Sequence, residues 1–176
     1  MEQRLARLIM AMTEYDHDDA PRIQHFMKVH NYAATIGTIE HLDSPVLAVL
    51  EAAGVVHDIG IHPSEAKYGN SHGKHQEELG PAEARQLLST VGEYTEEETE
   101  RICFLVGHHH TYAGINAPDW QILVEADFLV NIFEDNISHS AALHAYEKIF
   151  KTAAGKAIFM AQYGGNPYKA AKNDDI

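Results

Sequence analysis

Thiol chemistry is nearly absent from this sequence: Cys103 is the single cysteine in 176 residues. An intrachain disulfide is thereby excluded, and a cysteine-based structural zinc site has no ligands to build on. Positive charge is also scarce. Lys and Arg total 13 against 26 Asp and Glu, a formal net charge of −13, so the long-range field repels polyanions and no nucleic-acid polymer is expected as a partner. Long apolar runs are missing as well. The longest candidate is interrupted by Glu51, and "MEQRLARLIM" lacks the cationic and then apolar pattern of a signal peptide. A soluble, cytoplasmic protein with no membrane partner is the expectation, and an unpaired thiol suits that reducing compartment. Finally, no run of β-branched residues is bounded by hairpin turns, which argues against a sheet.

What the sequence does have is histidine, in 13 copies, as many as all the lysines and arginines together. Imidazole is the commonest protein ligand for transition metals, so this composition points to a metal site without locating it. Apolar residues recur at helical spacing through most of the chain, which predicts an all-α single domain spanning residues 1–176. Leu5, Leu8, Ile9 and Met12 mark a first amphipathic helix, and Val29, Ala33 and Ile36 the inner stripe of a second beginning near Pro21. "SPVLAVLEAAGVV" is apolar on nearly every side, with Ser44 as the expected cap and Gly60 as the stop, and reads as a central helix. Residues 60–76 read as a loop, followed by a helix through "PAEARQLLSTV". Thr95 and Glu98 form a capping box for the next helix, Pro118 opens another, and one or two more lie in 139–152 and 155–163 ahead of a polar tail.

Several polar residues stand where a core should be. Asp127 interrupts the apolar "ILVEADFLVNIF", and a carboxylate there is costly unless it is paired, hydrogen-bonded or bound to a cation. A salt bridge or cap contact would satisfy it as well as a metal would. Glu125, on another face of that helix, is read as exposed. His25 shares the stripe of Val29, Ala33 and Ile36 and therefore points inward with them. His57 and Asp58 close the central helix; neighbouring helical residues diverge by about 100 degrees, so these two converge on one ion only at a helix end or between helices. His108, His109 and His110 close a later helix, where a surface role beside the helix dipole is equally open. His72 and His75 lie on the expected loop. Carboxylates with imidazoles suit Mn, Fe, Co, Ni, Zn or Mg.

These residues resemble the HD superfamily of metal-dependent phosphohydrolases. "HFMKVHNYA" from His25 fits the family's H-x-x-[RK]-V-x-x-x-A element, His57 and Asp58 stand in a literal "HDIG", and Asp127 lies in a late apolar helix like that of the closing aspartate. The match covers about residues 22 to 135. It implies a compact HD-type bundle of about seven or eight helices, with His25, His57, Asp58 and Asp127 as ligands of one metal ion. "VGHHHT" looks like the histidine pair of two-metal relatives, with His109 the preferred second-metal ligand and His108 and His110 as neighbours. The other second-metal histidine is replaced: Gln76 stands at its place, with His75 or His72 as substitutes. Ile61 takes the position of a common lysine, and the glycine-tyrosine-proline signature of cyclic-di-GMP phosphodiesterases is missing after the histidine run.

The activity this implies is hydrolysis of a phosphate ester, a nucleotide or another small phosphorylated metabolite, by metal-activated water. Asp58 would orient that water and His109 would shuttle a proton. Arg22, Lys28 and Lys74 are candidate phosphate contacts, each equally readable as solvated charge. Two alternatives stay open: a di-iron oxygenase on the same scaffold, and a non-catalytic, metal-stabilised ligand sensor. The oligomeric state is also open, a homodimer included.

Overall fold

The computed structural model describes residues 2–164, and every regular element among those residues is a helix. Nine helices follow in order: α1 (Gln3–Tyr15), α2 (Ala20–Ile39), α3 (Ser44–Val56), α4 (Ile61–Tyr68), α5 (Gly73–Val91), α6 (Glu96–Val106), α7 (Pro118–Glu134), α8 (His139–Ile149) and α9 (Ala153–Tyr163). The all-α bundle is as expected. The added element is α4, which occupies half of the segment read as a loop, while α5 begins at Gly73 and carries Pro81 inside it. The polar composition of 60–76 reflects a short helix with one side in solvent, of which only Ser64 is buried. The polar tail beyond Gly164 lies outside the described residues.

α3 is the hub. It packs on α1, α2, α6 and α7, and α2 in turn packs most extensively on α3 and α7. Seven of its residues, Val49, Leu50, Ala52, Ala53, Gly54, Val55 and Val56, are buried, which is why its sequence shows almost no polar face. Among the described residues, Ser44–Tyr68 alone is long and apolar enough to cross a membrane, and more than half of that window is buried inside the bundle. α5 packs on α6, α4 and α1, and α8 and α9 close the fold against α7.

Local signals explain where the helices begin. Thr95 Oγ1 accepts from Glu98 N at 3.2 Å while Glu98 Oε2 accepts from Thr95 N at 2.8 Å, the reciprocal capping box that the spacing predicts. Asp19 accepts from Arg22 N at 3.1 Å to start α2. Ser44 is not the cap of α3: Asp43 holds that position without a side-chain bond, and Ser44 is already helical ahead of Pro45. Nor does Gly60 stop a helix by a left-handed turn, since its φ is −71°. Glycine is required there by a close approach of two backbones. A Cβ on Gly60 would lie 2.6 Å from Gln76 O and 3.0 Å from Gly80 N, so only a bare α-carbon lets the turn at 57–60 nest against α5.

Candidate metal centre

α3 ends at Val56, and the tight turn that follows carries His57 and Asp58, with Ile59 N donating to Val56 O and Ile61 N to Asp58 O. At this helix end the two adjacent side chains, which diverge by about 100 degrees along a helix, reach one place between α2 and α7. α2 contributes His25 and α7 contributes Asp127. His25 Nε2 lies 3.2 Å from His57 Nε2, 3.4 Å from Asp58 Oδ2 and 3.3 Å from Asp127 Oδ1. His57 Nε2 lies 3.5 Å from Asp58 Oδ2 and 3.6 Å from Asp127 Oδ1. Neighbouring donors around an ion at about 2.1 Å sit about 3.0 to 3.4 Å apart, so the spacing suits a small cation.

A second group adjoins the first through Asp58. His109, from the turn after α6, places Nε2 3.3 Å from Asp58 Oδ1, and one ligand atom each from Asp58, His109 and His110 lie within 4.8 Å of one another. The two oxygens of Asp58 therefore face different imidazole sets, Oδ2 towards His25 and His57 and Oδ1 towards His109. His57 and His109 are fully buried, His25 and Asp127 nearly so, whereas the Asp58 side chain is 22% exposed and marks the open side. The turn bearing His109 is braced by Glu77, whose Oε1 accepts from His110 N at 3.1 Å and Thr111 Oγ1 at 2.9 Å.

The hydrogen bonds on the far side of each ring fix its tautomer. His57 Nδ1 donates to Gly54 O at 3.0 Å, His109 Nδ1 to Val106 O at 2.7 Å and His25 Nδ1 to Glu134 Oε2 at 2.7 Å. All three partners are acceptors only, so Nδ1 carries the hydrogen and the neutral ring presents a bare Nε2 lone pair to the centre. Three lone pairs and two carboxylates facing one another repel unless protons or a cation stand between them. Consistently, burial disfavours a charged His25, yet Asp127, Asp58 and Glu134 outweigh it and push its pKa up to about 9. Burial would raise Asp58 and Asp127, but the surrounding imidazoles hold both below the usual carboxylate range. His109 is raised despite its burial, through Asp58, while burial and the neighbouring His109 bring His110 down to about 4. The buried Nε2 atoms of His109 and His110 have no hydrogen-bond partner, and a neutral His110 suits a ligand. The donor set thus fits a divalent transition ion, or Mg, whose charge would balance Asp58 and Asp127.

Not every expected residue reaches this centre. His108 turns away, its Nδ1 bonded to Phe104 O at 2.7 Å and its ring stacked on Phe104. His75 stacks on Tyr68 at 3.9 Å and bonds Asn70 Oδ1, and His72 is exposed at the start of α5. Gln76 is buried, with its Nε2 donating to Ser71 O and its Oε1 unpartnered. Arg22 is held by Asp19, Glu65 and His62, Lys28 by Glu134, and Lys74 is exposed. Glu125 is fully buried, contrary to the expectation of an exposed residue, because it receives backbone donors from the start of α9. Two residues that shape the centre escaped notice in the sequence: Asn131, which donates to Asp127 Oδ1 at 2.9 Å, and Glu134. Both lie on the stripe of Asp127, at i+4 and i+7, and that spacing in an apolar helix is the signal that could have found them.

Comparison with models of protein families, with curated proteins and with solved structures returns no match for this chain.

Proposed function

We propose that the chain is an HD-type metal-dependent phosphohydrolase acting on a small phosphate ester, a nucleotide or another phosphorylated metabolite. The observation that carries this reading is the inward convergence of three Nε2 lone pairs, locked by their outward Nδ1 bonds, on Asp58 and Asp127. His25, His57, Asp127 and Asp58 Oδ2 would hold one ion; Asp58 Oδ1, His109 and His110 would hold a second. A bound divalent ion supplies Lewis acidity and lowers the pKa of coordinated water towards neutrality. The hydrolytic choice rests on the order and helical setting of the "H…HD…D" residues, which resemble the HD phosphohydrolases.

The chain's own groups then have defined tasks. Asp58, the most open of the set, orients the attacking water on the exposed side. His109 Nε2, 3.3 Å from Asp58 Oδ1, is placed to hold a proton when it is not a ligand. Asp127 and His57, both buried, keep the inner wall dry, which strengthens every electrostatic interaction at the site.

Phosphate release from nucleotides and sugar phosphates, screened with protein reloaded in turn with Mn, Fe, Co, Ni, Zn or Mg, tests the proposal. Asp58→Ala is expected to lose more than about 100-fold in rate. Release that is insensitive to both metal and Asp58 rejects the reading. The division of Asp58 between two imidazole groups also suits a di-iron oxygenase. Substrate-dependent oxygen uptake by iron-loaded protein, without phosphate release, would select that chemistry.

A further inference from the structure

The three inward imidazoles do not have equivalent supports. His57 and His109 are held by the backbone carbonyls of Gly54 and Val106, neutral acceptors belonging to their own helices. His25 is held by a side chain from another helix, Glu134 Oε2 at 2.7 Å, across 109 residues of sequence. The other oxygen of that carboxylate, Oε1, is paired with Lys28 Nζ from the same helix as His25. Glu134 is therefore clamped between two residues of α2, one turn apart, and cannot rotate without losing an ion pair.

We infer that Glu134 is a positioning residue of the metal centre: it fixes the tautomer and ring plane of His25 and strengthens its Nε2 as a donor, with Lys28 holding Glu134 in place. The reasoning is chemical. A carboxylate accepting from Nδ1–H pushes electron density into the ring and raises the basicity of the opposite nitrogen, more strongly than a neutral carbonyl does. The Lys28 cation tempers that effect and supplies orientation. α7 thereby serves the centre at two depths, with Asp127 facing it directly and Glu134, two turns later on the same stripe, acting through His25. Asn131 lies between them and bonds the Asp127 oxygen that faces the imidazoles.

This inference rests on the metal-centre reading, and Co²⁺ serves as a probe that separates the two. The 176-residue chain, stripped with chelator, is titrated with Co²⁺ against a competing chelator, and the visible absorption of the saturated protein is recorded. Glu134→Ala is expected to weaken Co²⁺ binding by about 10- to 100-fold and to alter the visible spectrum at saturation, since ligand field strength depends on the His25 donor. Glu134→Gln keeps the side-chain volume and an acceptor oxygen, and is expected to restore binding to within about tenfold of wild type. A merely structural Glu134 would lower the melting temperature of the metal-free protein and leave the saturated spectrum unchanged. Wild-type affinity and spectrum in both variants, while Asp127→Asn abolishes binding, overturn the role of Glu134 alone. Failure of the wild-type chain to bind Co²⁺ overturns the metal centre and this inference with it.

Discussion

Glu125 and Asp127 are two residues apart on α7, both buried, and both out of place in so apolar a helix, yet their surroundings are opposite in kind. Glu125 is surrounded by donors. Its Oε1 accepts from Gln121 Nε2 at 2.8 Å, Lys151 N at 2.6 Å and Thr152 N at 3.0 Å, and its Oε2 accepts from Thr152 Oγ1. Those bonds complete the cap of α9 and satisfy the carboxylate without any cation. Asp127 has one conventional donor, Asn131, and otherwise faces the Nε2 atoms of two imidazoles whose hydrogens are committed elsewhere. A buried carboxylate is by itself no evidence of a metal. A buried carboxylate facing imidazole nitrogens is a different case: in the metal-free chain the proton kept by His25 offsets its charge, and a bound cation would take that proton's place.

Substitutions on α7 should separate the two roles. Glu125→Ala strands a set of buried donors and is expected to cost about 3 to 5 kcal/mol in chemical denaturation of the chelated protein, with metal content unchanged. If metal were lost with it, the two carboxylates would not be independent. Asp127→Asn keeps the shape but halves the anionic charge of the centre, and should weaken metal binding by more than about 100-fold, beyond what loss of an outer partner costs. Competition titration measures it directly.

Protons probe the same contrast more gently. With His25 pushed up from 6.5 to about 9, the folded, metal-free protein keeps a proton that the unfolded chain releases. The resulting stabilisation is complete below pH 6.5 and disappears as pH rises through about 9, so the chelated protein should melt earlier at pH 9 than at pH 6.5. Metal must displace that proton, so affinity should climb about tenfold per pH unit up to that limit. A pH-independent affinity would remove His25 from the ligand set. The smallest effect belongs far from α7: Thr95→Ala should cost about 1 kcal/mol through the lost capping box and leave metal binding untouched.

The helices that the sequence announces most clearly are those with periodic apolar stripes or chemical caps. α2, α6 and α7 begin close to where Pro21, Thr95 and Pro118 suggest. α4 was hidden because eight residues with one buried side chain carry too little pattern to distinguish helix from loop. At the site, His25, His57, Asp58 and Asp127 were legible as polar residues at inward positions of apolar helices, and they do meet. Glu134 is marked only by its i+7 spacing from Asp127, because the partner that gives it a role, His25, lies 109 residues away and no local pattern encodes a hydrogen bond of that reach. Glu125 misled because charge on an apolar helix suggests solvent, whereas the donors that bury it come from a connection between α8 and α9 that no periodicity encodes.

Elemental analysis of the chain purified without chelator, beside Asp127→Asn and Glu125→Gln, tests the metal centre most directly. Wild type and Glu125→Gln should each carry at least about one divalent ion per chain, and Asp127→Asn should carry almost none. Equal metal in all three, or none in wild type after reloading, would contradict the account.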